Sequence, residues 1–266
     1  MKTKIKFINH ACFQIIRENS SILVDPWFNG KVFNNSWSLL QETNLDDIDL
    51  SNLTHIFISH EHPDHLNWST LKQIKERTKQ KIHVYMPRRR NHNVKENMKK
   101  LGYLFVEVDP YQIYKIKKYD FSFCFLKRNY DSAILFDVDE KIILNKNDCE
   151  FPIEQLQQFK QGLFKNREID ILFNQFSLAG YYGNQEETQK LEEAKENHIE
   201  DLLTTHKILK PKLTVPFASF ITFSRDENKY LNEYIVSLKK LIDQNSSLSM
   251  FVPWYMEDIS FECSRE

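Results

Sequence analysis

The chain has 266 residues, with 36 Lys and Arg against 37 Asp and Glu, which gives a formal net charge of −1. A near-neutral chain offers no broad basic surface for nucleic acid or for an anionic membrane. With 41% hydrophobic residues, it can bury a substantial core, which excludes disorder, collagen and coiled coil for the chain as a whole. We expect one domain over residues 1–266, because no repeat or Pro-rich linker interrupts the sequence.

The sequence shows no membrane span, signal peptide or disulfide pattern. No run approaches the roughly 18 apolar residues of a spanning helix, and the first residues lack a convincing signal-peptide core. The four cysteines are far apart and form no Cys-x-x-Cys pair, being Cys12, Cys124, Cys149 and Cys263. Neither a disulfide framework nor a cysteine zinc site is therefore indicated. These features predict a cytoplasmic protein with reduced cysteines.

The first third of the chain is rich in predicted strands. Three short β-like runs, separated by polar turn residues, lie at residues 4–8, 13–17 and 22–25. A loop over 26–51 leads to the apolar run 55–59, whose β-branched residues are typical of a buried strand. The sequence then predicts a helix, a strand and a helix at 68–78, 82–86 and 92–101.

The second half begins with hairpin-like strands and continues as an α/β alternation. Three strand-like runs between residues 121 and 145 suggest a second sheet. Further helices are predicted at 153–162, 185–209 and 227–243, and further strands at 169–173, 213–216 and 250–252. Helices that alternate with strands in this way predict a layered α/β domain.

The most informative motif is the hexapeptide His60-Glu-His62-Pro-Asp64-His65, which follows the predicted strand 55–59. In α/β folds, ligand-binding crevices lie at the carboxyl ends of such strands. His60 and His62 can point to one side of an extended segment, while Asp64 and His65 can turn to a second position. Imidazole with carboxylate suits zinc, iron or manganese rather than a structural zinc cage. The hexapeptide therefore predicts a metal site, with a solvated polar loop as the alternative.

The hexapeptide resembles the signature of the metallo-β-lactamase fold superfamily. The chain is similar, more particularly, to the branch of CMP-N-acetylneuraminate hydroxylases and their relatives akin to ascorbate-6-phosphate lactonases. The other similar stretches are Ile8-Asn9-His10-Ala11, Asp25-Pro26-Trp27-Phe28, Trp37-Ser38-Leu39-Leu40, Asp131-Ser132-Ala133, Asn145-x-Asn147-Asp148-Cys149 and Pro216-Phe217-Ala218-Ser219-Phe220. The resemblance implies an α/β (α+β) fold, namely a four-layer αββα sandwich.

The resemblance also implies roles for individual residues. Asp25 would support the metal loop without binding the ion, and an ordinary turn aspartate before proline is the alternative. Asp148 would bridge or close the metal site, although its Asn-rich surroundings are also typical of a turn. Asp64 and His65 would hold a second ion or, if that site is empty, serve as the catalytic base and proton shuttle.

Two departures from the superfamily pattern put the second metal site in doubt. Residues 93–197 contain no histidine, so the third histidine of the first site is absent or replaced, with Asp131 as the nearest candidate. Where relatives tend to carry a last histidine, this chain has Ser224-Arg225-Asp226. Arg225 cannot bind a cation at ordinary pH but can clamp a substrate anion. Asp226 could replace the missing ligand or cap a helix.

Four further polar residues are candidates for the pocket or its rim. His10 is either a pocket residue that touches substrate or a turn histidine with its hydrogen bonds satisfied. Gln175 ends a strand run and could reach the same cavity, although such residues usually bond to loop backbone. His198 and His206 share one face of a predicted helix, so we expect packing or rim positions for them rather than metal binding.

The leading functional hypothesis is a hydrolase that holds one or two divalent ions, of zinc, iron or manganese. Metal-activated water would attack a phosphoester, lactone, amide or nucleotide-linked small molecule. The resemblance to hydroxylases leaves a di-iron oxygenase open, which would need an electron donor on a separate protein. The missing histidines leave a degenerate, non-catalytic metal-binding module as the third hypothesis. No nucleic-acid partner is indicated, and the sequence does not predict the oligomeric state.

Overall fold

The computed structural model describes residues 3–88, 93–163 and 167–261. The strands of this part of the chain are β1 Lys4–Asn9, β2 Cys12–Arg17, β3 Ser20–Val24, β4 Lys31–Val32, β5 Trp37–Leu39, β6 Leu53–Phe57, β7 His83–Pro87, β8 Leu104–Val108, β9 Tyr114–Ile116, β10 Phe121–Arg128, β11 Asp131–Val138, β12 Lys141–Asn147, β13 Ile171–Gln175, β14 Leu213–Phe217, β15 Ile221–Phe223 and β16 Asp258–Ile259. The α-helices are α1 Trp68–Arg77, α2 Asn93–Lys100, α3 Ile153–Gln161, α4 Thr188–Leu209 and α5 Leu238–Gln244. Short 3₁₀ helices lie at Leu45–Asp47, Lys117–Tyr119 and Lys229–Tyr234.

Two large sheets pack face to face around an apolar core. The first has the strand order β16-β1-β2-β3-β6-β7-β8, and the second has the order β14-β13-β12-β11-β10-β9. Aromatic rings fill the space between them: Phe13 of β2 stacks on Phe173 of β13 with ring centroids 4.4 Å apart. Phe57 of β6 packs edge-on against Phe136 of β11 at 4.9 Å. Such pairs stabilise the core beyond the area they bury.

Helices cover the outer face of each large sheet. Leu71 of α1 and Met98 of α2 pack in the cluster beneath the first sheet, while Leu156 of α3 and Leu209 of α4 pack beneath the second. The layers therefore run helix, sheet, sheet, helix, which confirms the predicted four-layer αββα sandwich. A third, small sheet of β15, β5 and β4 closes one side of the molecule.

Strand direction brings the predicted site residues to one edge of the sandwich. In the first sheet β3 and β6 are parallel, and in the second sheet β12, β13 and β14 are parallel. The carboxyl ends of parallel neighbours lie at the same edge of a sheet. Asp25 therefore follows β3 beside the hexapeptide that comes after β6, and Asp148 follows β12 across the gap between the sheets.

Strands that depend on distant partners are where the sequence predictions fail. The predicted loop 26–51 contains β4 and β5, and β5 is held by pairing with β15 almost two hundred residues later. The predicted strand 250–252 is wrong, since Met250 forms only an isolated bridge to Thr214. The strand near the carboxyl end is β16 instead, which pairs with β1. Such short strands have little local signal because their stability comes from the partner strand.

The predicted helix 227–243 is also wrong, because it is broken in the middle. A 3₁₀ helix at Lys229–Tyr234 and the short helix α5 replace it. The break lies at Val236, whose backbone N donates to Ser177 Oγ at 2.8 Å and whose buried side chain packs in an apolar cluster. Ser237 then caps the start of α5 with its hydroxyl. This tertiary anchor overrides the helical pattern of the sequence.

Two further predictions can be compared with the structure. Cys12, Cys124 and Cys149 are free and buried, as the sequence predicts, whereas Cys263 lies outside the described residues. His92, where the second helix was predicted to begin, also lies outside them, and α2 is described from Asn93. Among the described helices, each is too short or too polar to cross a membrane.

His55 on β6 is a buried, neutral histidine that makes the stability of the fold depend on pH. It is 1% exposed, and the rings of Tyr119 and Phe121 contact it edge-on at 5.0 and 5.1 Å. Burial, with a smaller contribution from His83 and Lys118, lowers the pKa of His55 from 6.5 to about 3. Protonation of His55 is therefore strongly disfavoured in the strand that leads into the hexapeptide.

We predict that His55 reduces the stability of the fold in acid. Because its folded pKa lies below its unfolded pKa, the unfolded chain takes up the proton first, so stability is full above about pH 6.5 and falls towards pH 3. At pH 5 the loss from this one group is about 2 kcal/mol. Urea unfolding at pH 7.5 and pH 5 should show that the free energy of unfolding falls less between these pH values for His55→Phe than for the wild type. An equal fall in the free energy of unfolding for both proteins would contradict the role of His55 as a buried, neutral histidine.

Candidate metal centre

Asp25 anchors the segment that carries the hexapeptide. It is wholly buried, and its φ of 43° lies in the left-handed region, which Asp adopts more readily than most residues. Its carboxylate accepts two hydrogen bonds from Ser59, from the backbone N and from Oγ, both at 2.7 Å. Asp25 Oδ2 also lies 3.0 Å from His65 Nδ1. A carboxylate on Nδ1 fixes the ring and leaves Nε2 of His65 available to a metal ion.

His60, His62 and Asp131 form a first group of potential ligands, with one ligand atom from each within 4.8 Å of the others. His60 Nδ1 lies 3.0 Å from Ser59 Oγ, so its Nε2 points away from the strand. That Nε2 is 2.8 Å from His62 Nδ1 and 3.7 Å from Asp131 Oδ1. The geometry places Asp131 where the sequence lacks a third histidine.

His10, Asp64 and His65 form a second group under the same 4.8 Å limit. Asp64 Oδ2 lies 3.1 Å from His10 Nε2 and 3.3 Å from His65 Nε2. All three side chains are buried. His60 and His62 thus share one group and Asp64 and His65 another, but His60 and His65 also form a group with Asp148, so the division of the hexapeptide between two metal positions stays a prediction.

Asp148 lies between the two groups. Its Oδ2 is 3.6 Å from His60 Nε2 and also 3.6 Å from His65 Nε2. Asn147, with a φ of 41°, turns the chain here, and its side-chain amide donates to Ser132 O at 3.3 Å. This arrangement offers one carboxylate to both groups, as a bridging ligand would require.

The electrostatics of the cluster favour a positive charge at its centre. Burial alone would raise the pKa of Asp64, but His65 and His10 outweigh it, and the pKa lies well below its usual range. For Asp148, the nearby His60 and His65 likewise overcome burial and lower the pKa. Burial lowers the pKa of His65, yet the surrounding carboxylates outweigh it and raise that pKa. The carboxylates around His65 thus favour a positive charge at this position, which a bound cation would supply.

Unpaired buried atoms indicate that the donor set fits a metal ion. Among the described residues, Asp64 Oδ1, His65 Nε2 and Asp148 Oδ1 are buried and have no hydrogen-bond partner. Such atoms are costly to leave unpaired in a protein interior. Imidazole nitrogens and carboxylate oxygens in these proportions suit zinc, iron or manganese. Divalent metal binding therefore explains why these atoms converge.

A polar cavity of about 230 Å³ opens beside the two groups. Asp131 and Asp148 line it together with Gln175, Tyr182 and His198. The structure thus brings Gln175 to the cavity, and it places His198 there as a rim residue. His198 Nε2 lies 2.8 Å from the Tyr182 hydroxyl, and burial lowers the pKa of His198. Both rings are therefore neutral hydrogen-bonding groups at neutral pH.

Other residues that the sequence singles out lie apart from the potential ligands. Arg225 is exposed and pairs with Glu227 at 2.9 Å, while the exposed Asp226 pairs with Lys229. Asp226 does not cap the following 3₁₀ helix, which is preceded by Asn228. Neither Arg225 nor Asp226 belongs to a ligand group in the part of the chain that the structure describes.

His206 packs against the second sheet, where its Nδ1 lies 2.8 Å from Thr214 Oγ1.

Two residues of the site had no clear signal in the sequence. Ser59 contacts Asp25 and His60, and only its position directly before the first histidine could have indicated this. Tyr182 lies in an irregular segment with no periodicity, so its place beside His198 follows only from the tertiary fold.

Comparison with known proteins gives a family and a set of distant relatives. The β-lactamase superfamily domain family matches residues 4–139. The cytidine monophosphate-N-acetylneuraminic acid hydroxylase of Mus musculus is 24% identical over 273 residues, covering 95% of this chain and 46% of the mouse protein. The chain thus spans about half the length of the curated relatives that it matches.

Solved structures share the fold at low sequence identity. CmlA, a diiron β-hydroxylase from Streptomyces venezuelae, gives a TM-score of 0.67 at 14% identity, covering 97% of this chain and 54% of CmlA. Igni18, a metallo hydrolase from Ignicoccus hospitalis, gives 0.64 at 17% identity, covering 99% of this chain and 100% of Igni18. The neighbours differ in named activity, so the fold does not select the reaction. The predicted membership is confirmed: the chain belongs to the β-lactamase superfamily domain family, on the branch that resembles CMP-N-acetylneuraminic acid hydroxylases.

Proposed function

We propose that this protein is a two-metal hydrolase that acts on a phosphoester, lactone, amide or nucleotide-linked small molecule. The observation that supports it is the position of Asp148, whose Oδ2 lies 3.6 Å from a histidine of each ligand group. In the proposal, His60, His62 and Asp131 hold the first ion and the second group holds the other. Divalent ions held there lower the pKa of water and polarise the scissile group.

The protein groups around the ions have separate tasks in this proposal. Asp25 fixes the orientation of His65 through Nδ1, at 3.0 Å. Asp64 is a ligand in this proposal, because its Oδ2 lies 3.1 Å from His10 Nε2 and 3.3 Å from His65 Nε2. Gln175 and His198 line the opposite side of the cavity, where neutral donors and acceptors orient polar substrate groups.

A di-iron oxygenase is the second candidate. Each ligand group contains two histidines and one carboxylate, a combination typical of non-haem iron sites that use dioxygen. The similarity to the mouse hydroxylase and to CmlA supports the same candidate. This reaction needs dioxygen and an electron donor, whereas hydrolysis needs only water as co-substrate, which is why hydrolysis is the first candidate.

Metal content and reactivity together decide between the candidates. The protein, purified without a metal-binding tag, is analysed by elemental mass spectrometry and assayed on nitrophenyl phosphodiesters, a lactone and a nucleotide-linked ester. Bound zinc or manganese with turnover of one of these supports the hydrolase. Two irons with reductant-dependent dioxygen uptake and no hydrolysis would replace it with the oxygenase. Bound metal with neither reaction would leave a non-catalytic module.

We predict that the double variant His60→Ala, His62→Ala loses the first ion. Removing both imidazoles leaves that group with carboxylates alone, so hydrolysis should fall at least about a hundredfold. Metal stoichiometry and hydrolysis rate are measured on the same preparation. His206→Gln is the matched control, because His206 is buried, its ring nitrogen Nδ1 lies 2.8 Å from Thr214 Oγ1, and it belongs to no ligand group among the described residues. A double variant that retains the full metal content would refute the ligand assignment.

We predict that Asp25→Asn weakens metal binding by about 10- to 100-fold, as loss of a ligand's supporting carboxylate commonly does. Asn also tolerates a positive φ, so the backbone is expected to stay in place. Competition with a chromophoric chelator gives the dissociation constants. Asp120→Asn is the control, since Asp120 is exposed and has a similar φ of 47°. Wild-type affinity in Asp25→Asn would show that Asp25 acts only through its backbone conformation, and equal weakening in both variants would show an effect that is not specific to the site.

A further inference from the structure

His10 is a buried histidine held rigidly at the connection between β1 and β2. His10 is 1% exposed. Its backbone carbonyl oxygen accepts a hydrogen bond from the backbone N of Ala218 at 2.8 Å. The ring packs edge-on against Trp27, with centroids 5.8 Å apart. Because β1 runs in the same direction as β3 and β6 in the sheet order, the end of β1 delivers His10 to the edge where the metal centre lies.

The ring of His10 faces the second ligand group through Nε2. This atom lies 3.1 Å from Asp64 Oδ2, and the same oxygen lies 3.3 Å from His65 Nε2. Two imidazole nitrogens and a carboxylate oxygen thus converge in a buried space. A cation in this space would be within reach of all three atoms, just as a cation in the first group would be within reach of its three ligand atoms.

The segment Ser224-Arg225-Asp226, where relatives tend to carry a last histidine, gives the second ion no histidine ligand. Without His10 that ion would have only Asp64, His65 and the shared Asp148. Arg225 and Asp226, which stand where relatives tend to carry histidine, are exposed and paired with their neighbours. A ligand from the opposite end of the chain would fill the gap.

Resting on the metal centre of the proposed function, we propose that His10 Nε2 is a ligand of the second metal ion and replaces the missing histidine of the last motif. The competing role for His10 is to donate a hydrogen bond to Asp64 and only position that carboxylate. Substitution by glutamine distinguishes the two roles, because it can preserve the hydrogen bond to Asp64 but not the binding of a metal ion. Glutamine presents an N–H at a similar reach, so it can still donate to Asp64, but its amide is a poor ligand for zinc or cobalt compared with imidazole.

The test compares the wild type with His10→Gln and His10→Ala, with His206→Gln as a histidine-to-glutamine control outside the ligand groups. Each protein is titrated with Co²⁺, and bound metal is measured by elemental mass spectrometry. Proton NMR of the cobalt forms then counts the strongly shifted, solvent-exchangeable imidazole N–H signals, one for each bound histidine. These readouts do not depend on any catalytic activity.

We predict two cobalt ions and four shifted imidazole signals in the wild type, from His10, His60, His62 and His65. His10→Gln and His10→Ala should both lose one signal, retain the first ion and bind the second at least about a hundredfold more weakly. The control should match the wild type. Comparison of unfolding midpoints without metal identifies any variant that is simply misfolded, in which case the less disruptive glutamine variant decides.

One result would overturn this assignment without touching the proposed hydrolase. Wild-type affinity for the second ion in His10→Gln, with an unchanged number of shifted signals, would reduce His10 to a positioning residue for Asp64. A wild type that holds one ion, with three or fewer shifted signals, would remove the second site and the two-metal form of the proposed function with it. A wild type that binds no divalent ion would overturn the metal centre itself and the proposed function with it.

Discussion

The candidate site depends on one buried carboxylate, that of Asp25. A charge without solvent contact persists only when hydrogen bonds compensate its lost hydration. Asp25 meets this requirement with two bonds from Ser59 and a contact to His65. These bonds connect the end of β3 to the segment after β6, and they fix His65 as a consequence. The connection thus holds the segment that carries the other potential ligands of the hexapeptide next to the end of β3.

The same cluster shows why a metal ion, rather than hydrogen bonding alone, accounts for the site. Asp64 and Asp148 approach His65 closely, yet each keeps a buried oxygen without a partner in the described structure. Protonating His65 neutralises part of this negative charge but cannot satisfy several carboxylate oxygens at once. A divalent ion can do so, because it binds several ligand atoms within a small volume.

Local sequence patterns predicted most of the strands and helices, whereas the four-layer arrangement was implied by the resemblance to the metallo-β-lactamase fold superfamily. They succeeded where the signal lies within a few residues, as in the strand run before His60 and the long pattern of α4. They failed where contacts join distant segments: β5 depends on β15, and the break at Val236 depends on Ser177. The sequence placed Arg225 at the site by analogy with relatives, whereas the structure pairs it with Glu227. The organisation of residues 1–266 as one domain stays a prediction.

The cavity limits the substrates that such a centre can accept. Its lining combines the cation Arg128 with the acidic Asp131, Asp148 and Glu150, so the protein alone gives it a net negative charge. Two divalent ions would reverse that sign and make the cavity attractive to anions. Neutral groups such as Gln175 and His198 would then select among anions by hydrogen bonding rather than by charge. Substrate recognition and metal loading would therefore be coupled in a two-metal centre, because the ions would supply the positive charge that the polar residues lack.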